Sequence, residues 1–100
     1  MREVIWRPRA EADLDAITNY TIAEWGAAQA KRYVLDIRRQ IDFAIGAPGI
    51  GSEAYGLPAE YRKLQAGRHR VIYRYTENEL IVVRIIHERE DAPDDIEDFW

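Results

Sequence analysis

Two histidines and a run of cations are the residues with chemistry to offer. His69 and His87 stand 18 positions apart, and imidazole is the side chain whose charge changes near neutrality, hence the usual acid–base group. Around the first lies GRHRVIYRY, Gly67 to Tyr75, with Arg68, Arg70 and Arg74. Lys63 precedes it, and Arg84 and Arg89 flank the second histidine. Such cations stabilise phosphate or carboxylate charge. The spacing fixes no Ser, Asp or Glu partner for either histidine. Neither His-x-x-His nor the helical zinc-protease motif occurs, so no metal and no cofactor is expected. The expected role of each histidine is structural hydrogen bonding. The chain has no cysteine, so it has neither a disulfide nor a thiolate site.

The elements that must hold these residues follow from periodicity. Val4, Ile5 and Trp6 read as a short strand, and Pro8 suits a helix's first turn, where no N–H is needed. From Pro8 to Trp25, Ala10, Leu14, Ile17 and Thr21 form one apolar stripe. Glu11, Asp13 and Asp15 complement the dipole at that helix's start, and Gly26 stops it. A second helix runs from about Ala27 to Ile45, on Ala30, Tyr33, Val34, Ile37, Ile41, Ala44 and Ile45. So short a link requires an antiparallel helical hairpin. Residues 46–60, GAPGIGSEAYGLPAE, read as a loop. Strands follow at Tyr61 to Gln65, Arg68 to Tyr75 and Leu80 to His87, paired as an antiparallel meander. The expected fold is α+β in the order β-α-α-β-β-β, with the hairpin packed on one face of a mostly antiparallel sheet.

Alternation gives the cations a face. If Val71, Tyr73 and Tyr75 lie under the helices, Arg70, Ile72 and Arg74 point away from them. Arg84 is expected to join that open face, subject to the register set by the turn at 76–79. The expected sheet therefore has one apolar side and one cationic side, the latter either simply solvated or suited to an anionic partner. Trp6 and Trp25 read as core or rim packing. Trp100, after an acidic run, reads as a frayed end or a docking anchor.

One hundred residues form a single domain, 1–100, with an acidic tail over 92–100. The formal net charge of −4 argues against broad nucleic-acid binding, which needs a basic face. The charge is uneven: Glu88, Glu90, Asp91, Asp94, Asp95, Glu97 and Asp98 crowd the C-terminus against Arg89 alone. No apolar run approaches the ~18 residues of a membrane span, and no export signal opens the chain. The expectation is a soluble cytoplasmic protein without membrane contact or direct specific DNA binding.

Five stretches, in order, resemble one family: PRAEADLDAITNYTIAEWG, QAKRY, PGIG, EYRKLQAGRHRVIYRY and VVRIIHERED. Together, from Val4 to about Asp91, they are similar to the RelE/ParE superfamily of bacterial toxins, and to its ParE branch in particular. Glu90 departs from the pattern, standing where the family usually has Met. The resemblance implies a toxin of a type II toxin–antitoxin pair that inhibits DNA gyrase by binding rather than by catalysis, held in check by a ParD-like antitoxin. The antitoxin is expected along the helical hairpin and sheet edge, its carboxylates paired with Arg70, Arg74 and Arg84. The gyrase-facing residues, by family analogy, are His87, Arg89, Glu90 and Asp91. The alternative enzyme is a RelE-like ribosome-dependent mRNA endonuclease using Lys63, Arg70 and Arg89. Against it stand the acidic balance and a tail without tyrosine. A third reading is a non-toxic module that binds the antitoxin and helps it repress.

Overall fold

The link Trp25–Gly26–Ala27 decides the architecture. In the computed structural model, which describes residues 2–54 and 57–90, helix α1 runs Pro8–Trp25 and helix α2 Ala27–Gly46. Gly26 alone separates them at φ +91°, a backbone that a residue with a Cβ seldom adopts. Its N–H donates to Ile22 and its carbonyl accepts from Ala30, so the chain reverses with its polar groups satisfied. The buried stripe is the expected one: Ala10, Leu14 and Thr21 on α1, and Ala30, Ile37, Ile41 and Ala44 on α2. Full burial of a side chain such as Ile37 stabilises by about 1.5–3 kcal/mol. Thr21, polar on that stripe, donates its hydroxyl to the Ile17 carbonyl at 2.7 Å.

The strands are β1 (Glu3–Trp6), β2 (Ser52–Glu53), β3 (Arg62–Ala66), β4 (His69–Tyr75) and β5 (Glu79–His87). Their order in the sheet is β1-β5-β4-β3-β2. β1 lies parallel to β5, and every other pairing is antiparallel. The meander stands within a residue or so of its expected bounds. β2 does not fit the expectation, because it lies inside the stretch read as loop. The order is thus β-α-α-β-β-β-β. Side chains from β3 and β4 hold this segment. The buried Tyr73 hydroxyl donates to the Pro48 carbonyl at 2.6 Å and accepts the Gly51 N–H at 3.1 Å. The Arg62 guanidinium donates to the Gly49 and Gly51 carbonyls.

The helices cover one face, where Leu64, Ala66, Val71, Tyr73, Leu80, Val82 and Ile85 complete the main core. The reverse face is not the bare cationic surface expected. Ile72, Ile81, Val83 and Ile86 form a second apolar cluster there with Ile5, Ala54, Leu57 and Tyr61. Arg70 and Arg74 alternate with Ile72 and are half-buried. Tyr75, expected under the helices, is 40% exposed and lies beneath the Arg2 guanidinium. Trp6 packs against the core's rim, with the Arg38 guanidinium over its ring.

The register slips at one point. Ile72 faces Arg84 and Tyr73 faces Val82, which leaves Val83 as an extra residue. Such a bulge bends its strand and re-aims the neighbouring side chain. Arg84 therefore differs from its expected placement on the open face. Its Nε donates to Asp13 Oδ2 at 2.7 Å and its Nη2 to Oδ1 at 3.2 Å. Asp13 Oδ2 also accepts the Ile85 N–H at 2.9 Å. The physical reason is an edge: β1 ends at Trp6, its last bond to β5 being Arg7 N–H to the Val82 carbonyl. Beyond that point α1 lies against β5, and Asp13 takes the N–H that a strand would have taken.

Candidate functional site

The tip of the helical hairpin carries no core. Burial ends at Thr21 on α1 and resumes at Ala30 on α2, with residues 22–29 exposed. Tyr20 is 65% and Trp25 72% exposed, so Trp25 is neither the core nor the rim residue expected. These two stand at the edge of a largely apolar groove of 790 Å³. Ile17, Tyr20, Thr21 and Trp25 form one wall. Gln29 and Tyr33 of α2 form the floor, and Gly67, Arg68, His69 and His87 close the sheet end.

That end is a hydrogen-bonded cluster. The Tyr33 hydroxyl lies 2.6 Å from His69 Nδ1 and accepts the Arg68 N–H at 2.9 Å. Its one proton can go to Nδ1 or to the Ala66 carbonyl, which lies 3.4 Å away, and the His69 tautomer follows from that choice. His87 Nδ1 accepts the Arg89 N–H at 3.1 Å, so the ring proton of His87 sits on Nε2. The two imidazoles meet edge to face with centroids 5.4 Å apart, as their places on adjacent strands suggest. Gly67 is tied to the cluster. It has φ +61°, and a Cβ there would fall 2.6 Å from the Tyr33 ring. Arg68 also approaches Glu88 at 3.6 Å with its side chain 76% exposed, a contact that contributes little to stability.

Burial lowers the His69 pKa, and the neighbouring His87 lowers it further against the weaker pull of Glu90 and Glu88. Burial likewise raises the Tyr33 hydroxyl, against the Arg68 N–H that it accepts. Folded His69 binds its proton less tightly than unfolded His69. Acid therefore favours unfolding. This contribution is complete above the ordinary value of 6.5 and is lost as pH falls from there through the lowered folded value. Thermal unfolding should show stability dropping across that window, with a shallower drop in His69→Asn. An unchanged slope in the variant would assign the acid sensitivity to other groups.

The remaining expected site residues fall in three places. Lys63, Arg70 and Arg74 alternate onto the reverse face, where Lys63 faces Ile72 and Arg70 faces Gln65. Arg84 is engaged with Asp13. Arg89 and Glu90 are exposed in the turn after β5, so the proposed endonuclease set of Lys63, Arg70 and Arg89 is divided between the reverse face and that turn. Glu90 closes the strand end on itself. Its carboxylate accepts the His87 N–H at 3.0 Å, while its own N–H donates to the His87 carbonyl. Asp91 and Trp100, with the rest of 91–100, lie outside the described residues. Sequence reasoning missed Tyr20, Trp25 and Tyr33 as groove residues. Their periodic spacing is that of ordinary core positions, and only the exposed hairpin tip distinguishes them.

The profile of a family described as the ParE toxin of type II toxin–antitoxin system, parDE, matches residues 4–92. Toxin ParE1 of Mycobacterium tuberculosis is 40% identical over 86 residues, covering 85% of this chain and 88% of its own. Toxin ParE of Escherichia coli is 35% identical over 92 residues, covering 91% and 89%. Among solved structures, the chromosomal ParDE TA system from P. aeruginosa superposes with a TM-score of 0.76 at 26% identity, covering 87% of this chain and 96% of that one.

Proposed function

The chain belongs to the ParE toxin family of type II toxin–antitoxin systems, and from that premise we propose that it inhibits DNA gyrase by binding and is neutralised by a ParD-like antitoxin. The observation that carries the binding mode is the open apolar groove with Tyr20 and Trp25 standing exposed beside it. Large exposed aromatics around a concave apolar surface suit a protein partner's side chains. An amphipathic antitoxin helix fits this groove, and its acidic continuation fits Arg70 and Arg74 on the reverse face. Arg84 drops out of this set because Asp13 already engages it.

The histidine cluster supports binding over catalysis. His69 Nδ1 is engaged with the Tyr33 hydroxyl and His87 Nδ1 with the Arg89 N–H, whereas a general base needs a lone pair free and aimed at its substrate. The gyrase-facing surface is assigned to the end of β5 and beyond: His87, Arg89, Glu90 and Asp91. Its place of action is read as the cytoplasm from the family membership alone.

The test is to supply the protein alone to purified gyrase and, separately, to a translating extract. Accumulation of cleaved DNA with intact mRNA is expected. Codon-phased mRNA cuts with normal gyrase would instead assign ribosome-dependent cleavage to Lys63, Arg70 and Arg89. A folded protein with neither effect that still binds its antitoxin would be a co-repressing module.

A further inference from the structure

The sheet end of the groove gathers hydrogen-bond donors. Arg68 lines it, and its 3.6 Å contact to Glu88 is too long for a hydrogen bond. His87 lines it with its ring proton on Nε2. The charges beside the two histidines cancel, Arg68 and Arg89 standing against Glu88 and Glu90. The helical walls, Ile17, Tyr20 and Trp25 on α1 and Gln29 and Tyr33 on α2, add no charge. Arg32 is exposed and donates to Gln29 at 2.7 Å, Asp13 is engaged with Arg84 and Ile85, and Lys63 and Arg70 lie on the reverse face. The balance leaves little net charge for an incoming carboxylate, and the histidines are the side chains there suited to supply it near neutral pH. Burial, and then His87, favour neutral His69, yet its surroundings can accommodate the cation. The Tyr33 hydroxyl lies 2.6 Å from His69 Nδ1 and 3.4 Å from the Ala66 carbonyl. In the imidazolium form Nδ1 donates to that hydroxyl. The hydroxyl's two lone pairs then accept Nδ1–H and the Arg68 N–H, while its own proton turns to Ala66. The Arg89 N–H facing His87 Nδ1 cannot reverse in that way.

We propose that the sheet end of the groove is a carboxylate subsite that takes up a proton as it fills: the carboxylate seats beside Arg68, His69 receives one proton from solvent, and the Tyr33 hydroxyl gives its hydrogen bond to Ala66. The anion brings one negative charge and the imidazolium one positive, so the site stays balanced. The apolar stem of the ligand lies against Tyr20 and Trp25. The occupant is an acidic side chain of the antitoxin's groove segment, and that clause rests on the reading above; the proton linkage does not. The sign follows from reciprocity. A bound anion strengthens the hold of His69 on its proton. The anion therefore binds most tightly below the lowered value of the free protein and loses affinity as pH rises through the value of the complex.

The probe is indole-3-propionate, an aromatic stem ending in a carboxylate, with its primary amide as the neutral control. The chain has only two histidines, so both imidazole Cε1–H signals can be followed across pH in the unaltered protein. The probe should move the His69 titration midpoint to higher pH and should bind about threefold or more tighter at about pH 5.5 than at about pH 7.5. The amide should bind more weakly and without that dependence. Backbone shifts should be largest at Tyr33 and Gly67–His69. Arg68→Gln, on an exposed side chain, should weaken the probe about fivefold or more at the lower pH. His69→Asn should remove the pH dependence; the titration of the unaltered chain decides the matter if that variant folds poorly. An unmoved His69 midpoint, equal binding of acid and amide, or shifts centred outside the groove would each overturn the proposal. Calorimetry of the antitoxin complex in buffers of unlike ionisation enthalpy, at about pH 7, should then show a proton taken up. No uptake in a complex that Trp25→Ala weakens would overturn the assigned occupant. If Trp25→Ala leaves that complex unchanged while the probe still binds with its proton, the groove reading falls and the subsite stands.

Discussion

Asp13→Ala should lower the free energy of unfolding by about 3 kcal/mol, a fall in Tm of roughly 15 °C for a domain of this size. The carboxylate accepts three hydrogen bonds, two from Arg84 and one from the Ile85 N–H. The side chains of the pair are only 14% and 18% exposed, so water screens them poorly. Alanine would leave a partly buried guanidinium without this partner and a strand-edge N–H without its acceptor. Each such group costs about 1–3 kcal/mol or more when stripped of its partner. Asp13→Asn keeps one acceptor oxygen, which can serve Ile85 N–H and Arg84 Nε, but it removes the charge and turns the other oxygen into an NH2 donor facing Nη2, so it should cost less than alanine but more than a neutral change. Replacing both partners, as Asp13→Leu with Arg84→Met, should recover part of the loss, because the charges are removed together. Denaturant unfolding of the three variants checks this order. A cost below about 0.5 kcal/mol for Asp13→Ala would class the contact with ordinary surface pairs.

The same contact shows what the sequence could and could not disclose. The helices were legible because an apolar residue every third or fourth position has few other readings, and Gly26 marks the stop. The meander was legible from Val, Ile and Tyr runs between short polar turns. Asp13 looked like a partner for the helix dipole, because its place near the start of α1 supplies that role by itself. Its true partners are more than 70 residues away. They become visible only once the bulge at Val83 has slipped the register. One extra residue in a strand leaves no mark in the alternation of LIVVRII, where almost every side chain is apolar. β2 was hidden for a related reason. Two residues cannot show a period, and the segment holding them is fixed by Tyr73 and Arg62 from other strands.

The histidines divide in the same way. Neighbouring strands were enough to bring His69 and His87 together, and the lack of a catalytic partner was readable from spacing. Tyr33 was not readable as their partner. It falls on the α2 stripe like any core residue, and only the Gly67 turn packed against its ring brings its hydroxyl to His69. Glu90 was legible as a departure from the resembled family but not as a strand-end cap, which depends on a turn of three residues closing on His87.

Trp25→Ala should weaken binding of the cognate antitoxin about 30-fold or more, roughly 2–3 kcal/mol, with little change in Tm. The two halves of this expectation come from one fact. A tryptophan 72% exposed adds little to folding, since most of its apolar area stays in water in either state. The same area is available to a partner, and an aromatic at the edge of an apolar groove is the type of side chain that dominates interface energetics. Tyr20→Ala should act in the same direction and less strongly, its hydroxyl retaining water in the free protein. Phe43→Ala is the control. Phe43 is 66% exposed on α2 but does not line the groove, so its loss should leave affinity unchanged while removing similar apolar area. Calorimetric titration of the three variants separates site from bulk hydrophobicity. If Trp25→Ala and Tyr20→Ala bind as tightly as the unaltered chain, the groove is not the antitoxin's surface. If Phe43→Ala weakens binding as much as they do, the antitoxin follows the outside of the hairpin rather than its tip.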